Sequence, residues 1–263
     1  MHSTALNYLL ARKRVEMHKF LTSFQDVFIK KGDGKSWPKW RNTWKMARGY
    51  FRGLLHPGRQ KNMYGISVRM NVNEDQVERF IRESPWEYEA LQDHLALHLP
   101  DAIRDPKAVL IIDDVGIIKQ GKHSVGVKRQ YSGALGKVGN CQVAVDLIYV
   151  APGNVRNADQ KTWPLGMQLY LPKEWVEDDL RREEVDIPEK IQFRTKPQIA
   201  VDMIERIRLQ KIEHTAIVAD AGFGDSSDFR KKLREMKEPY VLGITPSSVS
   251  YTHLRAHETS LHL

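Results

Sequence analysis

Apolar residues recur at helical spacing through roughly the first hundred positions, then at strand-like density. Val15 to Phe28 reads as one amphipathic helix. Met46, Tyr50, Phe51, Leu54 and Leu55 share a helical stripe that His56-Pro57-Gly58 ends. Asn73 is placed to cap a further helix, with Gln76 reaching back and Val77, Phe80 and Ile81 facing inward. Ser84-Pro85-Trp86-Glu87 gives the same start signal: a capping hydroxyl, a proline tolerated at the first helical position, and a glutamate at the third. Pro100 to Pro106 reads as a linker.

The pattern then changes. Ala108 to Ile112 is an unbroken apolar run, the mark of a central strand buried on both faces, and it ends in Asp113-Asp114. Gln142 to Val150 and Leu165 to Leu171 are two more strands, joined by a polar connection over Arg156 to Trp163; three in succession predict an antiparallel meander. Pro172 to Pro197 is a charged, helix-bearing excursion. Ala200, Met203, Ile204 and Ile207 then mark a helix over Pro197 to Gln210. Thr215 to Ala219 is a strand ending at Asp220. Asp225 or Ser226 caps a helix that buries Phe229, Leu233 and Met236, and Pro239 to Ile244 is a fifth strand. The expected fold class is therefore α/β, with a sheet-bearing region at 106–246 behind a helical region at 1–105.

Composition narrows the partners. The chain has 263 residues, a formal net charge of +8 and an apolar fraction of 41%, enough for a packed core. No run is long enough to span a bilayer, and Met1 to Leu10 shows no secretion signal. Cys141 is the one cysteine, so no internal disulfide forms, which fits a reducing, cytoplasmic location; it reads as a small buried hydrophobe. The positive balance points to a polyanion. Lys30, Lys31, Lys35, Lys39, Arg41, Lys45, Arg48 and Arg52 crowd one stretch, interleaved with Trp37, Trp40, Trp44 and Tyr50. That mixture suits a surface tracking phosphates. It equally suits a solvated helix whose aromatics are core.

Asp113 and Asp220 each end a buried strand, and glycine follows closely in both Asp113-Asp114-Val115-Gly116 and Asp220-Ala221-Gly222-Phe223. Burying a carboxylate there is costly unless it is paired. Two such acids on adjacent strands repel unless cations join them. Magnesium suits the task because it takes few carboxylates and keeps water and phosphate oxygens as its other ligands. Two ions would activate a water or a 3′ hydroxyl and stabilise the leaving oxygen. The competing reading makes each aspartate a loop or helix cap; the repeated pattern favours the metal. Asp114 points to the opposite face of its strand and is a candidate support for the ligand Asp113.

Several separate motifs, in order, carry a resemblance. They are Ile111-Ile112-Asp113-Asp114-Val115-Gly116, Gly121-Lys122-His123-Ser124-Val125-Gly126-Val127, Arg129-Gln130-Tyr131, Gly139-Asn140-Cys141-Gln142-Val143, Leu169-Tyr170-Leu171-Pro172, Glu174-Trp175 and Ala219-Asp220-Ala221-Gly222-Phe223-Gly224-Asp225. Upstream, Gly53-Leu54-Leu55, Arg59-Gln60-Lys61-Asn62 and Ser84-Pro85-Trp86 join them. The chain resembles bacterial insertion-sequence transposases of the Asp-Asp-Glu superfamily from about Phe20 to about Ile244. The resemblance implies a ribonuclease-H-like mixed sheet, incomplete here, behind an α-helical N-terminal domain. It implies DNA cleavage at element ends and strand transfer, with Mg2+ or Mn2+. It places the first catalytic acid at Asp113 and the second at Asp220, and it implies a nucleoid-associated homodimer in the full-length protein. Val115 departs from the threonine more usual there. Lys119, Lys122, His123, Lys128 and Arg129 follow the first acid and would hold the DNA backbone; otherwise they form a solvated hairpin.

The family's third acid, a glutamate on a later helix, has no counterpart. Tyr251, Arg255 and Glu258 are spaced three then two, where the related signature has two then three. Ser250 to Thr259 resembles translated sequencing-adaptor read-through, and residues 247–263 are expected to be a non-native tail, leaving an inactive fragment; His253, His257 and His262 have no element to hold them around a metal. The alternative function is a non-catalytic, truncated DNA-binding regulator. A phosphotransferase built on a strand-end aspartate needs two aspartates separated by one residue, and Asp113 and Asp114 are adjacent.

Overall fold

The computed structural model describes residues 15–31, 40–56, 60–84, 87–132, 136–153 and 161–245, with only the backbone at 30, 31 and 40–42. The chain divides into two compact units, Met1–His94 and Leu95–Leu263.

The first unit is mainly helical. Helix α1 covers residues 15–23 and α2 Gln25–Phe28. The single helix expected over Val15 to Phe28 is thus broken at Phe24. Ser23 Oγ donates to the Phe20 carbonyl at 2.7 Å, a side-chain bond that competes with the helical ladder. A small antiparallel ribbon, β1 (Ile29–Lys31) with β2 (Trp40–Asn42), interrupts the expected run of helices; isoleucine and tryptophan favour extended backbone. Then come α3 (Trp44–Leu55), α4 (Met63–Met70), α5 (Glu74–Glu83) and α6 (Tyr88–Leu97).

The stripe expected on α3 is partly wrong. Leu54 and Leu55 are exposed, and Ala47 and Gly53 are buried instead. Small residues let the neighbouring helix approach: a Cβ at Gly53 would lie 2.8 Å from Ile66 Cγ2. Helix α5 has the expected cap, with Gln76 accepting from the Asn73 amide, and it buries Val77 and Phe80 while Ile81 is exposed. The start signal at Ser84 falls partly outside the described residues. The linker before the sheet carries a short 3-10 turn at Asp101–Ile103, and the Tyr149 hydroxyl pins it, accepting from the Asp105 amide and donating to its carbonyl.

The second unit holds the sheet. Strands β3 (Val109–Ile118), β4 (Lys128–Ser132), β5 (Lys137–Ala151), β6 (Lys161–Tyr170), β7 (Ala216–Ala219) and β8 (Tyr240–Leu242) run in the order β4-β5-β3-β7-β8, with β6 also on β5. Strand β5 is long enough for its first part to pair β4 and its later part β6. Pairing is antiparallel among β3, β4, β5 and β6 and parallel across β3, β7 and β8, so the sheet is mixed.

Between β6 and β7 lie α7 (Lys173–Val176), α8 (Asp179–Glu184) and α9 (Lys196–Leu209), which Thr195 and Gln198 cap. After β7 come α10 (Ala221–Gly224) and α11 (Ser227–Glu235), the latter capped by Ser226 and burying Phe229 and Leu233. The core lies between the sheet and α9 and α11: Leu110, Ile112, Leu147, Tyr149 and Ile217 pack with Ile199, Met203, Ile204, Ile207, Phe229 and Leu233. No described helix is long and apolar enough to cross a membrane.

Candidate metal centre and nucleic-acid surface

Strand β3 does not stop at Ile112. It continues to Ile118 because β5 pairs it along its whole length, so Asp113 and Asp114 lie inside the strand. The parallel partner is shorter. Pairing with β7 ends at Ile112 opposite Ala219, and the next residues are Asp113 and Asp220. Asp220 keeps extended backbone, with φ −77° and ψ −175°.

Alternation sets the faces. Leu110 and Ile112 are buried in the core, so Asp113 turns to the other face; Ile217 and Ala219 are buried, so Asp220 turns the same way. Across the antiparallel pair, Asp113 lies opposite Asp146 of β5. Strands stand about 4.8 Å apart. Asp146, Asp113 and Asp220 therefore form a row across three neighbouring strands on the face away from α9.

Asp113 Oδ1 accepts from the Asp114 amide at 2.8 Å, and Asp220 Oδ1 accepts from the Gly222 amide at 2.9 Å. Asp220, the residue after β7, thus caps α10. In each carboxylate Oδ2 has no protein partner among the described residues. Asp146 Oδ1 is buried with no hydrogen bond. Burial raises the Asp146 carboxyl above the ordinary aspartate range, and the charges of Asp113 and then Asp114 raise it further. Such a row is chemically suited to a divalent cation. Among the described residues no three His, Cys, Asp or Glu side chains already form a cage, and magnesium, which keeps most of its waters, does not require one.

Asp114 faces the other way. Its Oδ2 lies 2.5 Å from Lys196 Nζ at the start of α9, and that ammonium sits 5.9 Å from the centre of the Tyr170 ring. The two adjacent aspartates are divided by strand parity, one toward the acid row and one toward a lysine.

Two glycines fix the chain beyond Asp220. A Cβ on Gly224 would lie 1.8 Å from the Gly243 carbonyl oxygen, and one on Gly243 would lie 2.9 Å from the Ala221 nitrogen. Only residues without a side chain let the turn after Asp220 close against the end of β8.

The basic loop after β3 is braced. Asn140 Nδ2 donates to the carbonyls of Lys119 and Gly121, Gln142 Nε2 to that of Val125, and Trp175 Nε1 to that of Val127. Lys128 pairs with Glu174 at 2.8 Å, which raises its pKa through that hydrogen bond and the glutamate's charge. His123 lies 3.8 Å from Glu184. Lys119, Lys122 and Arg129 meet no carboxylate among the described residues.

In the first unit, Trp44 and Tyr50 pack at tilted angles with Phe28 and Phe80 in an aromatic cluster, and Lys45, Arg48 and Arg52 lie on α3. The side chains of Lys30, Lys31, Lys35, Lys39 and Arg41, and the tail with Tyr251, Glu258 and its histidines, lie outside the described residues. Cys141 is buried, and burial raises its thiol pKa. Asp146 is the site residue that sequence reasoning missed. Its only signal is one charged position in an otherwise apolar alternation.

Comparisons with known proteins bear on the chain as a whole. Over 194 residues the chain is 31% identical to a probable transposase for insertion sequence element IS701 from Microchaete diplosiphon, covering 73% of this chain and 46% of that protein. The chain thus spans about half the length of the relative it matches. A solved Drosophila P element transposase strand transfer complex aligns with 83% of this chain and 42% of its own at 9% identity and a TM-score of 0.33. The family model described as DDE superfamily endonuclease matches residues 39–260, a span that includes the whole of the 250–259 stretch that resembles adaptor read-through. With most of its length matched by this model, the chain belongs to the DDE superfamily endonuclease family.

Proposed function

We propose that the chain is part of a DNA transposase that cuts insertion-sequence ends and joins them to target DNA, working in the cytoplasm at the nucleoid as a homodimer. Residues 106–246 carry the catalytic region and 1–105 the DNA-binding region; 247–263 stand outside both.

One observation carries the reading. The register that pairs Ile112 with Ala219 sets Asp113 and Asp220 side by side on one face, in a chain of this family. Their Oδ2 atoms, without a protein partner among the described residues, would hold Mg2+ or Mn2+, with the buried Oδ1 of Asp146 beside them. When bound, such ions lower the pKa of a water or hydroxyl nucleophile and offset charge on the leaving oxygen. The chain's own residues orient the site. Asp114, tied to Lys196, keeps β3 in register, and Gly224 and Gly243 hold the Asp220 turn. Lys119, Lys122 and Arg129 face DNA phosphates, while His123 and Lys128 reach them by exchanging a carboxylate partner for a phosphate. Lys45, Arg48 and Arg52 supply a second contact surface.

The test uses the full-length protein, a duplex carrying the element's own end, and Mg2+. Asp220→Asn is expected to lower cleavage roughly a thousandfold, since several kcal/mol of charge stabilisation is lost, while end binding stays within about twofold. Equal loss of binding and cleavage would make Asp220 structural. Binding without cleavage by the unmutated protein would favour a non-catalytic regulator.

A further inference from the structure

The geometry points to a phosphate-binding groove between α1 and α3 in the first unit, built to take the backbone phosphodiester of a nucleic acid. This deepens the DNA reading above and rests on it.

Helix α3, from Trp44 to Leu55, contains no acidic residue. Lys45, Arg48, Arg52 and the C-cap residue His56 follow one another at three- and four-residue steps, so they form one stripe. No carboxylate on the same helix is available to neutralise it. The groove beside this stripe is lined by Met17, His18 and Leu21 of α1 and by Arg48, Arg52 and His56.

The two arginines are short of acceptors. Arg48 Nε is buried with no hydrogen-bond partner. Arg48 Nη2 lies 3.3 Å from His18 Nδ1, and because a guanidinium can only donate, the imidazole nitrogen is the acceptor in this bond. Arg52 is exposed and meets no carboxylate among the described residues. Two guanidinium groups one turn apart repel each other, and an anion between them removes that cost. The planar fork of arginine matches phosphate oxygens in pairs. A stripe of basic residues along about 16 Å of helix suits a chain of repeating charges better than one small anion. Met17 and Leu21 give the groove an apolar wall suited to sugar.

The test uses the full-length protein and a duplex carrying the element's end, with affinity measured across a salt series. Arg52→Gln, an exposed change, and the double variant R48Q/R52Q are compared with Lys231→Gln on α11, which removes the same single charge as Arg52→Gln elsewhere. The double variant is expected to bind at least about tenfold more weakly and to flatten the logarithmic salt slope by about 0.9 for each phosphate it no longer engages. Arg52→Gln should show about half the effect, and Lys231→Gln none. Phosphate-ethylation interference adds a positional readout: one or two modified phosphates that block the unmutated protein should no longer matter to the double variant. Unchanged affinity, slope and interference in Arg52→Gln and R48Q/R52Q, beside normal binding by the unmutated protein, would overturn the groove alone. Failure of the unmutated protein to bind the duplex would overturn the transposase reading with it.

Discussion

Asp146 shows at a single residue what the acid row costs. Its carboxyl is raised by burial first and then by Asp113 and Asp114, so the folded protein binds a proton more tightly there than the unfolded chain does. Stability tied to this group is therefore greatest at low pH and falls as pH rises from the ordinary aspartate range through the raised value. In chelator, Asp146→Asn is expected to raise the melting temperature at pH 8 and to make little difference at pH 4. A calorimetric pH series checks this, and a gain equal at both values would contradict it. Magnesium should stabilise the unmutated protein more than the variant, because a bound cation offsets the repulsion that the substitution removes.

The residues themselves were unequally legible. Asp113 and Asp220 stand out because each ends an apolar run with a glycine two or three residues on. Asp146 does not, because a polar residue in an alternating strand is unremarkable until the β3–β5 register sets it opposite Asp113. Parity predicted the two faces of Asp113 and Asp114, but the Lys196 partner, 82 residues away in sequence, was out of reach.

At the scale of elements, β3 shows how local reading stops short. The apolar run that marks this strand ends at Ile112, yet β5 keeps Asp113-Asp114-Val115-Gly116 extended, and Gly116 is needed because a Cβ there would lie 2.3 Å from Ser132 Oγ. Helix caps were more legible, since a cap and its partner lie within four residues: Asn73 with Gln76 and Ser226 with Phe229 both form. Asn140, Gln142 and Trp175 belong to motifs whose purpose is invisible locally, because each braces the basic loop from a distant strand or helix. Trp175→Phe removes a buried bond to the Val127 carbonyl and should cost about 1–3 kcal/mol because that acceptor is left unpaired; chemical denaturation measures it. Asn140→Ala should speed amide exchange over residues 119–127 with little change in the core strands. Gly224→Ala drives a methyl into the Gly243 carbonyl and should cost about 1–3 kcal/mol as overpacking, with cleavage falling further than stability because Asp220 is displaced.

For the whole molecule, charge and fold divide the work. The net charge of +8 favours long-range attraction to a polyanion, as the proposed DNA substrate is, and that attraction weakens as salt rises. The mixed sheet sets Asp113 opposite Asp146 and one position beyond the end of the β3–β7 pairing, where Asp220 follows β7. Its antiparallel strands followed from consecutive apolar runs. The parallel placement of β7 beside β3 rests on a crossover through α9 that no local pattern encodes. The decisive measurement substitutes Fe2+ for the divalent ion in the full-length protein and maps the backbone cuts made by the radicals it generates with peroxide and ascorbate. Cuts should cluster near residues 113 and 220, fade when excess magnesium competes, and disappear from both places in Asp220→Asn. Cuts at only one of the two aspartates, or a pattern that Asp220→Asn leaves unchanged, would mean that these carboxylates share no ion.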